Sequence, residues 1–167
     1  SSEYSLKIIE MGKKEGINIT CEATPHHFSF SDDEILKNAY DTNFKMSPPL
    51  REISDVKAVR EALKSGLIDV IATDHAPHHT DEKIVEFDKA PFGIIGLQTL
   101  VPLTLKLVNE GVISLERMVE LTSTNAAKML NLKDKGKLAE GMLADIAVID
   151  PEIEYVYDEK INRSKSI

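Results

Sequence analysis

Apolar positions recur near helical spacing over residues 4–14, where Leu6, Ile8, Ile9 and Met11 gather, and this predicts a first helix. Gly16, just past a lysine-rich last turn, predicts its stop. Residues 17–23 then change period. Ile17, Ile19, Cys21 and Ala23 alternate with Asn18, Thr20 and Glu22, the mark of a strand ending at Thr24-Pro25-His26-His27. Ser31 and Glu34 have capping-box spacing and predict a short helix to about Asn38. The adjacent prolines of Met46-Ser47-Pro48-Pro49-Leu50-Arg51 supply no backbone donors and predict an irregular loop.

Val56, Val59 and Leu63 mark one face of the next helix, closed by Gly66. Directly after it, residues 68–73 form a short, mostly apolar strand. Helix, tight turn and apolar strand in this order describe a βαβ repeat, hence a parallel sheet covered on both faces. Such folds collect functional residues at the C-terminal ends of their strands, where His26-His27 and Asp74-His75-Ala76-Pro77-His78 both fall. Further on, Leu97, Leu100, Val101, Thr104, Leu105 and Val108 predict a core-packing helix, followed by one over residues 115–121 and one capped by Ser123 or Thr124 and running to Leu130. Beyond Gly136 the character changes. Gly141 and Pro151 punctuate β-prone runs, above all Ile146-Ala147-Val148-Ile149, which predicts a separate small β unit.

Composition narrows the function classes. The 167 residues are 42% apolar and 29% charged, as in a globular domain, and no apolar run approaches the roughly 18 residues that span a bilayer. The net charge of −8 excludes the basic face that nucleic acid requires. The lone Cys21 excludes an internal disulfide and fits a reducing cytoplasm. The reading is a cytoplasmic protein acting on a small molecule.

The chemistry-bearing residues are few. Asp74 ends an apolar strand, where a carboxylate can ligate a cation and accept a proton from a metal-bound water; equally, it can cap the following turn. Spacing alone leaves both readings standing. His78 follows a proline turn and could face the same cavity. His26 and His27 read as loop residues, and Pro91-Phe92-Gly93 as an ordinary turn rather than a lid.

Four segments, in order, resemble the dihydroorotase family of the amidohydrolase superfamily: Ala23-Thr24-Pro25-His26-His27, Lys45-Met46-Ser47-Pro48-Pro49-Leu50-Arg51, Ala72-Thr73-Asp74-His75-Ala76-Pro77-His78 and Lys89-Ala90-Pro91-Phe92-Gly93. A fifth, Gly141-Met142-Leu143-Ala144-Asp145-Ile146-Ala147-Val148-Ile149-Asp150, resembles the superfamily's return into its small β-sandwich. The resemblance implies an α/β fold: residues 1–135 as the C-terminal part of a (β/α)8 TIM barrel, strands seven and eight with their helices, and residues 136–167 as part of the β-sandwich. It implies reversible hydrolysis of dihydroorotate to carbamoyl-aspartate in pyrimidine synthesis, with one or two Zn2+ per full-length active site. Asp74 would be metal ligand and proton acceptor, His78 would hold the substrate carboxylate, and the backbone of Phe92 and Gly93 would meet the cyclic amide. Ser47 stands at a substrate-contacting place where relatives often carry asparagine.

The family's other metal ligands, a His-x-His after the first strand and groups on the fourth to sixth, have no counterpart here. The chain is therefore expected to be an incomplete portion of the enzyme, inactive alone and partnered by the missing N-terminal part of the barrel. Homo-oligomers, or association with aspartate carbamoyltransferase, are further expectations from the resemblance. The alternatives are an allantoinase or hydantoinase, and a non-catalytic assembly subunit.

Overall fold

The computed structural model describes residues 1–158 and 160–166. Helix α1 spans Glu3–Lys14, with the Ser2 hydroxyl accepting from the Ser5 N–H. Strand β1, Glu22–Ala23, leads into a short buried helix α2, Pro25–Ser29, and then α3, Asp33–Lys37. A 3-10 turn over Thr42–Phe44 and the proline loop follow, and then helix α4, Ile53–Ser65. Strand β2, Val70–Ile71, pairs parallel with β1 in the register Glu22↔Val70 and Ala23↔Ile71. The crossover helix and parallel pairing match the βαβ reading.

Both strands are shorter than their patterns predict. Pairing extends by one bond at each end, Asp69 N–H to the Cys21 carbonyl and Ala72 N–H to the Ala23 carbonyl, both 3.0 Å. Ile17 lies outside the ladder and is exposed. A strand is defined by its partner's backbone, and here each strand has a partner over only a few residues.

Asp69 ties the sheet to its surroundings. Its carboxylate accepts from Lys13 Nζ at 2.8 and 2.9 Å and from the Cys21 N–H at 2.8 Å, while its carbonyl accepts from Asn125 Nδ2. One side chain thus joins β2 to α1 and β1. Phe28, Val59, Leu63, Ile68, Ile71, Leu107, Met118 and Leu121 belong to the hydrophobic core.

The second half is helical: α5, Thr80–Lys83; α6, Leu100–Asn109; α7, Leu115–Val119; and α8, Asn125–Met129. Helix α6 is shorter than predicted, and Leu97 lies before it, exposed. Thr104 is fully buried in α6 because its hydroxyl donates back to the Leu100 carbonyl at 2.7 Å. A π-turn over Glu120–Thr124 joins α7 to α8, so the predicted Ser123 or Thr124 cap does not form. Nor does the Ser31–Glu34 capping box: α3 begins without a side-chain cap. Arg117 from α7 donates to the Leu63 and Ile68 carbonyls and clamps the α4–β2 turn.

Among the described residues no strand forms beyond Gly136, so Ile146-Ala147-Val148-Ile149 is not a strand here. Val148 is 95% exposed, and without a neighbouring strand its β-prone side chain gains nothing from an extended backbone. No helix among the described residues is long and apolar enough to cross a membrane.

Candidate active site at the strand ends

Asp74 follows β2 directly and takes a left-handed backbone, φ 49°, which is uncommon for a residue with a Cβ. Its side chain is exposed at the mouth of a cavity of about 380 Å3 lined by Cys21, Thr24, His27, Ser47, Pro48 and Asp74. Two sequence-predicted residues, Asp74 and Ser47, therefore share one cavity.

His27 joins them, contrary to its reading as a loop residue. His26 and His27 sit on α2, buried, with their rings 4.4 Å apart. The His27 Nε2–H must donate to the Pro48 carbonyl, 2.9 Å away, because a carbonyl only accepts; Nδ1 then accepts from the Thr24 hydroxyl at 2.6 Å. Burial lowers the His27 pKa, with the Pro48 bond opposing, so the neutral imidazole is a fixed prop under the Ser47-Pro48-Pro49 turn. Burial, with His27 beside it, pushes His26 down to about 3, and His26 Nε2 has no partner among the described residues. The only advance signal for this packing was the proline at the first helical turn.

The remaining predicted residues form a second group. Residues 92–96 run beside 73–76: Ala76 N–H donates to the Ile94 carbonyl, and Gly96 N–H to His75 Nδ1. The approach demands glycine. A Cβ on Gly93, whose φ is +99°, would lie 2.7 Å from the Ala76 Cβ, and one on Gly96 would lie 2.7 Å from the Thr73 carbonyl oxygen. His78 Nε2 donates to the Phe92 carbonyl at 2.9 Å, so His78, Phe92 and Gly93 are brought together. His79 instead caps α5, accepting from the Asp81 N–H while Glu82 accepts from its own N–H.

Two lysines that the sequence did not single out hold this second group. Lys45 Nζ donates to the Asp88 and Ala90 carbonyls and lies 4.8 Å from the centre of the Phe92 ring; its own carbonyl accepts from the Gly93 N–H at 2.8 Å. Lys83 is only 3% exposed and donates to the Thr42, Pro91 and Gly93 carbonyls. Pro91-Phe92-Gly93 is thus a pinned segment, more tightly held than an ordinary turn. A lysine in a loop of mixed charge gives no sign of burial in one sequence.

Among the described residues, no group of three or more His, Cys, Asp or Glu side chains could hold a metal ion. Asp74 offers one carboxylate, and both His27 nitrogens are engaged. Zinc requires at least three protein ligands, so these residues alone do not complete a metal centre.

The amidohydrolase family profile matches residues 8–166. The chain is 51% identical over 166 residues to a dihydroorotase of Geobacter metallireducens and 48% identical to one of Trichlorobacter lovleyi. In both cases the match covers 99% of this chain and 38% of the relative, so the chain spans well under half the length of these curated relatives. Among solved structures, an L-hydantoinase (dihydropyrimidinase) from Arthrobacter aurescens superposes with a TM-score of 0.80 at 31% identity, over 86% of this chain and 33% of that one. A dihydropyrimidinase from Brevibacillus agri gives 0.79 at 27%, over the same shares.

Proposed function

The chain belongs to the amidohydrolase family, and from that premise we propose that it is part of a cytoplasmic dihydroorotase. The observation that carries this reading is the identity of 51% and 48% to dihydroorotases, against 31% and 27% to the hydantoinase-type structures. In this reading residues 1–135 are the last part of a (β/α)8 barrel, with β1 and β2 as strands seven and eight, and residues 136–167 belong to a β-sandwich. Homo-oligomers, or an assembly with aspartate carbamoyltransferase, belong to the same proposal.

The reaction adds water across the ring C–N bond of dihydroorotate and releases carbamoyl-aspartate. Asp74 takes the proton from the attacking water and returns it to the ring nitrogen as the C–N bond breaks. Zinc, one or two ions per complete site, supplies Lewis acidity when bound; Asp74 is the ligand this chain contributes, and the others come from outside it. His78 binds the substrate carboxylate, and Ser47 contacts substrate from the wall of the Asp74 cavity. The Phe92 and Gly93 carbonyls already accept from His78 and Lys83. Each carbonyl has a second lone pair, so the ring N–H of the cyclic amide finds pre-aimed acceptors.

A hydantoinase-type activity is the second reading, favoured by the fold likeness to the Arthrobacter enzyme. Assay of the full-length, zinc-loaded protein on dihydroorotate, hydantoin, allantoin and dihydrouracil separates the two. Faster turnover of dihydroorotate than of the others is the expected result. Preference for another ring overturns it, and inertness on all four marks a non-catalytic subunit.

A further inference from the structure

Three consecutive carbonyls in the candidate substrate segment are each held by a cation or ring N–H from the flanks of one short helix. Lys83, at the end of α5, donates to Pro91 at 3.1 Å and Gly93 at 2.9 Å. His78, two residues before α5, donates to the carbonyl between them, Phe92, at 2.9 Å. The third Lys83 proton goes to the Thr42 carbonyl at 3.0 Å, and the Thr42 hydroxyl returns a 2.6 Å bond to the Lys83 carbonyl. The ammonium has three protons, and all three are used.

Among the described residues no carboxylate lies within ion-pair distance of this buried ammonium. At contact distance its charge is met by carbonyl dipoles. Burial lowers its pKa and Lys45 pushes the same way, with Asp41 opposing. A buried charge without a salt-bridge partner is an expensive way to join two loops, and a neutral donor would do that work at less cost. What an ammonium adds is strong, directional fixing of several acceptors at one point.

We propose that Lys83 is a positioning residue for substrate binding: by fixing the Pro91 and Gly93 carbonyls it sets the aim of the intervening Phe92 backbone and of the His78 imidazole bonded to it. The proposal rests on the assignment of His78, Phe92 and Gly93 to the substrate site. Lys83 itself touches no substrate. Its loss therefore raises KM through a displaced backbone, leaving the proton chemistry at Asp74 in place.

The test is Lys83→Met in the full-length protein, with KM, kcat, zinc content and amide hydrogen exchange measured on one preparation. The expected result is a KM raised about tenfold or more with kcat within about threefold. Zinc content stays at the parent level, and exchange accelerates in peptides covering residues 84–96. Leu107→Ala, a core substitution remote from this segment, lowers Tm without moving KM. Should Lys83→Met give no folded protein, Thr42→Val removes one bond to the Lys83 backbone and shifts KM and exchange in the same direction by less. A fall in Tm with KM within twofold of the parent, or unchanged exchange over residues 84–96, overturns the proposal. A parent enzyme that prefers hydantoin or dihydrouracil overturns the dihydroorotase reading instead, and the KM ratio on that substrate still judges Lys83.

Discussion

Two stretches of this chain use almost the same residues and end in opposite states. Ile68-Asp69-Val70-Ile71 enters the core, with Ile68 1% exposed and Val70 and Ile71 6% each. Ile146-Ala147-Val148-Ile149 stays in solvent, with Val148 at 95% and Ile146 at 61%. The difference lies in what surrounds them. The first stretch meets the backbone of residues 21–23 on one edge, and Arg117 holds the turn that precedes it. The second has no paired strand among the described residues. Strand propensity is therefore permissive, and a partner decides whether it is used. The same contrast separates the part of the chain that can aim a functional group from the part that, as it stands, cannot.

The largest effect expected at the end of the ordered stretch is on Asp74. Asp74→Asn in the full-length protein should lower turnover at least a thousandfold, about 4 kcal/mol of barrier, because an amide does not take the proton. In the 167-residue chain, where the Asp74 side chain is exposed, the same substitution should leave Tm within a few degrees of the parent. Turnover within about tenfold of the parent, only ~1.4 kcal/mol, removes Asp74 from the mechanism.

Within the core the contrast is read by stability. Ile68→Ala should cost about 2–5 kcal/mol in urea unfolding, the range for a large aliphatic side chain lost from a packed interior. A cost below about 0.5 kcal/mol, the size usual for surface positions, would mean that β2 is not seated as described.

All five histidines fall within residues 26–79, so histidine-linked pH sensitivity belongs to the part of the chain that carries the paired strands. His26 has a pKa of about 3 in the folded chain and 6.5 when free. Between those values the unfolded state binds more protons, so stability is complete above pH 6.5 and falls as pH drops toward 3. The slope is about 1.4 kcal/mol per pH unit, or roughly 2 kcal/mol lost by pH 5 from His26 alone. His27, lowered by the same burial, acts in the same direction. His26→Leu should flatten the dependence of Tm on pH between 6.5 and 4; an unchanged slope would place the proton uptake elsewhere.

Much of this was legible in the sequence because it is local. Period and punctuation mark α1 and α4, the stop at Gly66, the parallel pairing and the place of Asp74 at a strand end. The failures share a cause in long-range contact. The burial of His26 and His27 depends on α2 packing against α4 and α6. The role of Lys83 depends on carbonyls at Thr42, Pro91 and Gly93. The Asp69 hub depends on Lys13 and Asn125, each 56 residues away. The resemblance to dihydroorotases named Ser47, His78, Phe92 and Gly93 without that knowledge, but it could not show what keeps them in position.

The smallest effect concerns Val148 and tests the opening contrast most directly. In the 167-residue chain its side chain is almost wholly exposed, so Val148→Ala removes little buried area and should change unfolding free energy by no more than about 0.5 kcal/mol. In the full-length protein the same substitution reads the β-sandwich proposal. A strand that faces a partner sheet buries alternate residues, and a buried valine cut to alanine costs more than about 1 kcal/mol. A near-zero effect in the chain and a clear loss in the full-length protein would show that residues 146–149 already hold a strand's sequence and lack only a neighbour. A loss of more than about 1 kcal/mol in the chain itself would mean that this stretch packs somewhere after all, and the contrast with Ile68-Asp69-Val70-Ile71 would have to be redrawn.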